Sequence, residues 1–119
     1  MELPRIRRRI QTPEEYQKLV LDVSKTRPII VDCYADWCKP CKDLTPVIEA
    51  VIKSREGKVT LAKVDIDKVS EVAVQLSVSS IPAVFAIYKK ETISKFVGLK
   101  SKAELEDFVD AVLKKTTQS

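Results

Sequence analysis

Two cysteines stand two residues apart in Cys38-Lys39-Pro40-Cys41. That spacing brings two sulfurs to bonding distance on one helical turn, and it points to redox chemistry when it lies between a strand and a helix. At a helix N-terminus, unpaired N–H groups and the helix dipole stabilise a thiolate. Lys39 adds positive charge in the same direction. Cys38 then reads as the attacking sulfur. Cys41, one turn further and more shielded, reads as the resolving one. The bland alternatives are two core-filling cysteines or half of a metal site shared across a dimer.

Asp32 lies within an otherwise apolar run, Ile29-Ile30-Val31-Asp32-Cys33-Tyr34. Burying a carboxylate is costly, so its pKa should rise toward neutrality. Placed beneath Cys41, it would take the proton from that thiol when Cys41 attacks. Lys63 breaks the apolar pattern of Leu61, Ala62 and Val64, and it would partner Asp32 if the two strands are neighbours. The alternatives are a structural ion pair or a strand end that turns to solvent. Ile81-Pro82 marks either an edge-strand entry or a cis peptide. Trp37, the single Trp, is either core or a contact residue beside Cys38.

These groups need elements to hold them. Thr12-Pro13-Glu14-Glu15 has the form of a capping box with Pro at the first helical position, and a helical stripe follows to about Lys25. Pro28 to Tyr34 is short and apolar, as in a strand buried on both faces. Cys38 to about Lys53 reads as a helix with Leu44, Val47, Ile48, Val51 and Ile52 inward, kinked at Pro46. Val59 to Asp65 alternates as a strand, and Lys68 to Leu76 reads as a helix. Ala83 to Tyr88 and Ile93 to Val97 are strands joined by Lys89-Lys90-Glu91-Thr92. Ser101-Lys102-Ala103-Glu104 caps a last helix with Leu105, Phe108, Val109, Val112 and Leu113 on one stripe. Helices and strands alternate along the chain until a closing strand–strand–helix run. This order implies parallel pairing first and an antiparallel hairpin after. Thr116 to Ser119 reads as a frayed tail.

The 119 residues fit one α/β domain, with a core of about residues 6–115. Hydrophobic residues make up 45% and charged residues 32%, which suits a globule and argues against disorder. Without His, every His-based mechanism and His-ligated metal is excluded, and three Cys alone cannot complete a four-ligand zinc site. Four arginines against one glutamate concentrate the charge in residues 1–9, a basic N-terminal arm. It reads as a solvated arm, a transit-sequence remnant or, least fittingly, a nucleic-acid arm. The near-neutral body gives no broad nucleic-acid face. No stretch has the length of a membrane span, and no secretory signal peptide is visible.

The segment Val31-Asp32-Cys33-Tyr34-Ala35-Asp36-Trp37-Cys38-Lys39-Pro40-Cys41-Lys42 closely resembles the active-site segment of thioredoxins. The resemblance continues through Pro46, Lys63-Val64-Asp65-Ile66-Asp67, Val78-Ser79-Ser80-Ile81-Pro82 and Phe96-Val97-Gly98, with details similar to mitochondrial-type members. It implies a five-stranded mixed sheet flanked by four helices. It also implies reduction of protein disulfides through Cys38 and Cys41, with no bound cofactor and with recharging by an NADPH-dependent thioredoxin reductase. Asp32 matches the buried proton acceptor, Lys63 its partner and Pro82 the cis-proline. Ile81 would pair its backbone with a substrate strand, with Gly98 opposite. Trp37, Lys39, Pro40 and Leu99 complete the docking rim. The implied clients are disulfide proteins such as peroxiredoxins, met as a monomer in the mitochondrial matrix or cytoplasm.

The sequence departs from the family pattern at four places. Lys39 replaces the usual Gly, Ala83 a Thr, and the last hairpin lacks its Gly. Cys33 replaces an aromatic; on a strand it points away from Asp32 and reads as a core filler rather than a third redox thiol. A competing function is a thioredoxin-fold adaptor that binds a partner through the Ile81-Pro82 face without turnover. A secretory oxidase or isomerase is disfavoured by the absence of a signal peptide and of His in the motif.

Overall fold

A computed structural model of the chain describes residues 7–55 and 57–117. Five strands form one mixed sheet: β1 (Arg7–Ile10), β2 (Ile29–Tyr34), β3 (Thr60–Asp65), β4 (Ala83–Tyr88) and β5 (Glu91–Val97). Their order across the sheet is β1-β3-β2-β4-β5. The β1–β3 and β3–β2 pairs are parallel, and the β2–β4 and β4–β5 pairs antiparallel. The helices are α1 (Pro13–Tyr16), α2 (Lys39–Lys53), α3 (Ser70–Gln75) and α4 (Lys102–Thr117). This is the mixed sheet with four helices that the resemblance implies.

Strand alternation divides the core in two. Ile29, Val31 and Cys33 of β2 face Ile10, Tyr16, Val20 and Val72 on one side. Ile30, with Leu61, Val84 and Ala86, faces Leu44, Ile48, Val51 and Ile52 of α2 and Leu105, Val109 and Val112 of α4 on the other. Each such large aliphatic residue removed from water contributes about 1.5–3 kcal/mol. Asp32 falls on the second face, beneath α2. Cys33 points the opposite way, and burial pushes its thiol up to about 12. Phe96 of β5 closes over Phe108 of α4 edge to face, with centroids 5.0 Å apart.

The Ser101 capping box forms in full and the Thr12 box only in part. The Thr12 hydroxyl accepts from Glu15 N–H at 3.0 Å, while the Glu15 carboxylate accepts from Gln11 N–H rather than from the cap residue itself. Ser101 and Glu104 cap each other reciprocally.

Several boundaries differ from the sequence reading. Arg7–Ile10 is an edge strand, so the basic arm does not extend to residue 9; residues 1–6 lie outside the described residues. The helix read to Lys25 is α-helical only over Pro13–Tyr16. It continues as a π-turn over Gln17–Leu21 and a 3₁₀ turn over Val23–Lys25. The last hairpin turns on two residues, not four: Lys89 and Lys90 take φ of 53° and 70°, the left-handed region a tight hairpin demands. Lys89 N–H donates to the Ser24 carbonyl, and Lys90 N–H to the Ser24 hydroxyl. Thr116 and Thr117 are still helical; Gln118 and Ser119 lie outside the described residues.

Candidate active site

The site grows from the C-terminal end of β2. After Tyr34 the chain turns through Ala35-Asp36-Trp37 and enters α2, with Cys38 as its N-cap. Cys38 has an extended backbone, and its Sγ accepts the Cys41 N–H at 3.2 Å. Cys38 and Cys41 are disulfide-bonded, with Cα atoms 5.3 Å apart. In this oxidised form Cys38 is 4% exposed and Cys41 2%. Exposure therefore does not separate the two sulfurs as the sequence reading expected. What distinguishes them is the helix terminus, where Cys38 is the N-cap and its sulfur accepts the Cys41 N–H.

The surroundings are apolar on one side. Ile66 and Ile81 pack against Ala35, Cys38 and Cys41. The Ile81–Pro82 peptide is cis. Pro82 is buried, and its carbonyl accepts the Gly98 N–H at 2.9 Å, which sets Gly98 beside the cis peptide. Gly98 has φ +94°, a conformation that side chains resist. Trp37, next to Cys38, and Leu99, next to Gly98, are exposed at 69% and 55%, two large apolar groups in water. Trp37 is held there by its indole N–H, which donates to Asp67 at 2.8 Å. A groove of about 330 Å³ runs between Trp37, Ile66 and the Val78–Ile81 segment. Lys39 and Pro40 are exposed on the first turn of α2, and Lys39 meets Asp43 at 3.7 Å. Both side chains of that pair are solvated, so it contributes little.

On the other side of the disulfide lies Asp32, fully buried. Its Oδ2 accepts the Thr45 hydroxyl at 2.8 Å, and its Oδ1 has no partner among the described residues. Burial raises this carboxyl to about 6. The Thr45 hydrogen bond and the Lys63 charge oppose the rise, and the Glu49 charge adds to it. Lys63 does sit beside Asp32 in strand register, as expected. Its ammonium, however, turns away to Glu49 at 3.4 Å and lies 5.4 Å from the Tyr34 ring centroid. The expected Asp32–Lys63 ion pair is thus replaced by Lys63–Glu49. A cavity of about 330 Å³ beside them is lined by Cys41, Thr45, Glu49 and Lys63 among others.

Sequence reasoning missed Thr45, Glu49 and Asp67. A signal for the first two exists: Thr45 and Glu49 follow Cys41 at helical steps of four, on the same face of α2. Among the described residues, no group of three or more His, Cys, Asp or Glu is arranged to hold a metal, and no helix is long and apolar enough to cross a membrane.

A paired C-x-x-C disulfide at a helix cap, packed against a cis-proline loop at one end of a mixed sheet, defines a class of dithiol proteins. The thioredoxin family model matches residues 8–111. The chain belongs to the thioredoxin family. It is 38% identical over 104 residues to mitochondrial thioredoxin of Mus musculus, an alignment covering 87% of this chain and 61% of that protein. The probable thioredoxin-2 of Caenorhabditis elegans is also 38% identical over 104 residues, covering 87% of this chain and 70% of the relative. The chain thus spans less than two-thirds of the mouse protein's length. The crystal structure of Malassezia sympodialis thioredoxin shares the fold, with a TM-score of 0.78 at 21% identity over 99% of this chain and 96% of that one.

Proposed function

We propose that the chain is a thiol–disulfide oxidoreductase that reduces protein disulfides, working as a single thioredoxin-like unit and as a monomer. The observation that carries this reading is the Cys38–Cys41 disulfide at the N-terminus of α2, with an ionisable carboxyl beneath it. In the reduced protein, the Cys38 thiolate attacks a client disulfide, stabilised by the N–H groups that surround its sulfur. One client sulfur leaves, and the other stays bonded to Cys38. Cys41 then loses its proton to Asp32 and attacks Cys38 Sγ. The mixed disulfide breaks, the client leaves as a dithiol, and the Cys38–Cys41 bond re-forms. Lys63 supports the ionised Asp32 from the neighbouring strand.

Docking falls to the exposed rim: Trp37, Lys39, Pro40 and Leu99 supply contact area, while the backbone at Ile81, Pro82 and Gly98 receives an extended client strand. Lys39 in the motif sets the reduction potential apart from that of Gly-containing members. The family resemblance supplies the rest of the cycle. No cofactor is bound, and a thioredoxin reductase drawing on NADPH re-reduces Cys38–Cys41. Clients are disulfide proteins, peroxiredoxins among them. Mitochondrial-type similarity favours the matrix over the cytoplasm.

The alternative is an adaptor that uses the same rim without turnover. The test is an NADPH-coupled assay with thioredoxin reductase and a protein disulfide, run on the wild type and on Cys38→Ser/Cys41→Ser. Turnover by the wild type and none by the variant supports the oxidoreductase. Equal partner binding by both, with no turnover, supports the adaptor.

A further inference from the structure

We propose that Thr45 is a positioning residue of the resolving step: its hydroxyl fixes the Asp32 carboxylate through Oδ2 and leaves Oδ1 as the atom that receives the Cys41 proton. This rests on the oxidoreductase reading above.

The argument starts from the isolation of Asp32. It is fully buried, and a carboxylate in that position needs donors. The described structure gives it one, the Thr45 hydroxyl at 2.8 Å to Oδ2. Oδ1 is buried without a partner among the described residues. The two oxygens are therefore not equivalent. Oδ2 accepts the hydroxyl hydrogen bond, whereas Oδ1 carries no donor among the described residues and stays open to a proton. A single strong hydrogen bond also holds the carboxylate against rotation. Thr45 and Cys41 lie four residues apart on one face of α2 and line the same cavity, so the donor to Asp32 and the resolving thiol are carried by a single rigid element.

The neighbouring charges do not replace this hydrogen bond. Lys63, from β3, has its ammonium on Glu49. Glu49, from α2, raises the Asp32 pKa and so disfavours the charged form. On β4, the residue opposite is Val84, which carries no charge. Within β2, Cys33 and Tyr34 feel the Asp32 charge but are themselves acids whose pKa is raised. Thr45 is first among the influences that lower the Asp32 pKa from the level burial sets. The proton balance of the step is simple. The Cys41 S–H bond breaks, its proton goes to Asp32 Oδ1, and its electron pair forms the bond to Cys38 Sγ. The client sulfur departs with the electrons of the mixed disulfide.

The test compares the wild type with Thr45→Val, which keeps the shape and removes the donor, and with Thr45→Ser, which keeps the donor. Two quantities are read between pH 5 and 8.5: the rate at which a Cys38-linked mixed disulfide is resolved, and the titration of the Asp32 carboxyl carbon by NMR. Loss of a hydrogen bond to a charged group moves the midpoint by about one pH unit. The Thr45→Val midpoint should rise by that amount. Its resolution should be about fivefold slower at pH 6 and within about twofold of wild type at pH 8. Thr45→Ser should restore the wild-type profile. In an Asp32→Asn background, Thr45→Val should add nothing.

An unmoved midpoint in Thr45→Val, or a slowing that is equal at every pH, would overturn this inference alone, provided the wild type still turns over. So would an equal slowing in the Asp32→Asn background. If Thr45→Val fails to fold, Thr45→Ala is read against Thr45→Ser by the same criteria. A wild type that reduces no disulfide would overturn the functional reading and this inference together.

Discussion

Asp32 and Lys63 are register partners on adjacent parallel strands, yet the Lys63 ammonium is paired with Glu49 at 3.4 Å. The carboxyl proposed as the proton acceptor is thereby left in an apolar setting, with a cation nearby but otherwise engaged. Glu49 acts on Asp32 twice: its own charge raises the Asp32 pKa, and it draws Lys63 aside. Glu49→Gln should therefore lower the Asp32 midpoint below about 6, and Lys63→Met should raise it. Carboxyl titration by NMR checks both directions. A rise on Glu49→Gln would contradict the electrostatic account.

Stability should vary with pH through the same group. The folded-state carboxyl titrates near 6, against roughly 4 in an unfolded chain. Between those values the folded protein holds a proton that the unfolded chain has lost. Stability then falls as pH rises from about 4 to about 6 and stays lowered above. Asp32→Asn should remove this dependence and stabilise the protein by about 1–3 kcal/mol at pH 7.5, with little gain at pH 4. Lys63 keeps Glu49 in that variant, so no cation is orphaned. Denaturant titrations at the two pH values are the measurement, and equal effects at both would contradict it.

Reactivity should be asymmetric despite the similar burial of the two sulfurs. Alkylation of the reduced protein near neutral pH should modify Cys38 well before Cys41, because the helix N-terminus favours the Cys38 thiolate. Cys33 should stay unmodified, since its thiol is buried and pushed up to about 12. Cys41→Ser should then accumulate a covalent adduct with a disulfide client through Cys38. Mass spectrometry of labelled peptides decides the order, and preferential labelling of Cys41 or Cys33 would refute it.

The last hairpin stores backbone strain in a place far from the disulfide. Lys90 has φ 70° and carries a Cβ in a region that glycine tolerates best. Lys90→Gly should raise stability by about 0.5–1 kcal/mol while leaving disulfide reduction unchanged. A thermal melt and the coupled assay, run together, test both halves of that statement.

The fold was legible where one kind of pattern governed a segment. The apolar run of β2 and the stripes of α2 and α4 carry their period openly, and the two capping boxes mark their ends. The first strand was not legible, because Arg7-Arg8-Arg9 reads as charge rather than as an edge that pairs with β3 through its backbone. The π and 3₁₀ turns after Tyr16 were hidden because apolar spacing cannot distinguish i+4 from i+5 bonding over a few residues. In the site, Cys38, Cys41 and Asp32 stood out as residue types at odds with their neighbours. Thr45 did not, since a Thr on a helix is unremarkable until the strand beneath it is placed. The Lys63–Glu49 pair was likewise beyond the sequence, because register fixes which backbones are adjacent but not which way a long side chain turns.

Ser24 holds Lys89 and Lys90 from 65 and 66 residues away along the chain. That clasp fastens the irregular end of the first helical segment to the tip of the β4–β5 hairpin. A tight turn would ordinarily be among the first parts of a protein to open. Here its amides cannot be freed without also loosening the Val23–Lys25 turn, so the two should exchange with solvent as one cooperative unit. Hydrogen exchange at Lys89 and Lys90 should accordingly be slow for a turn, and Ser24→Ala should speed it at Lys90 most of all.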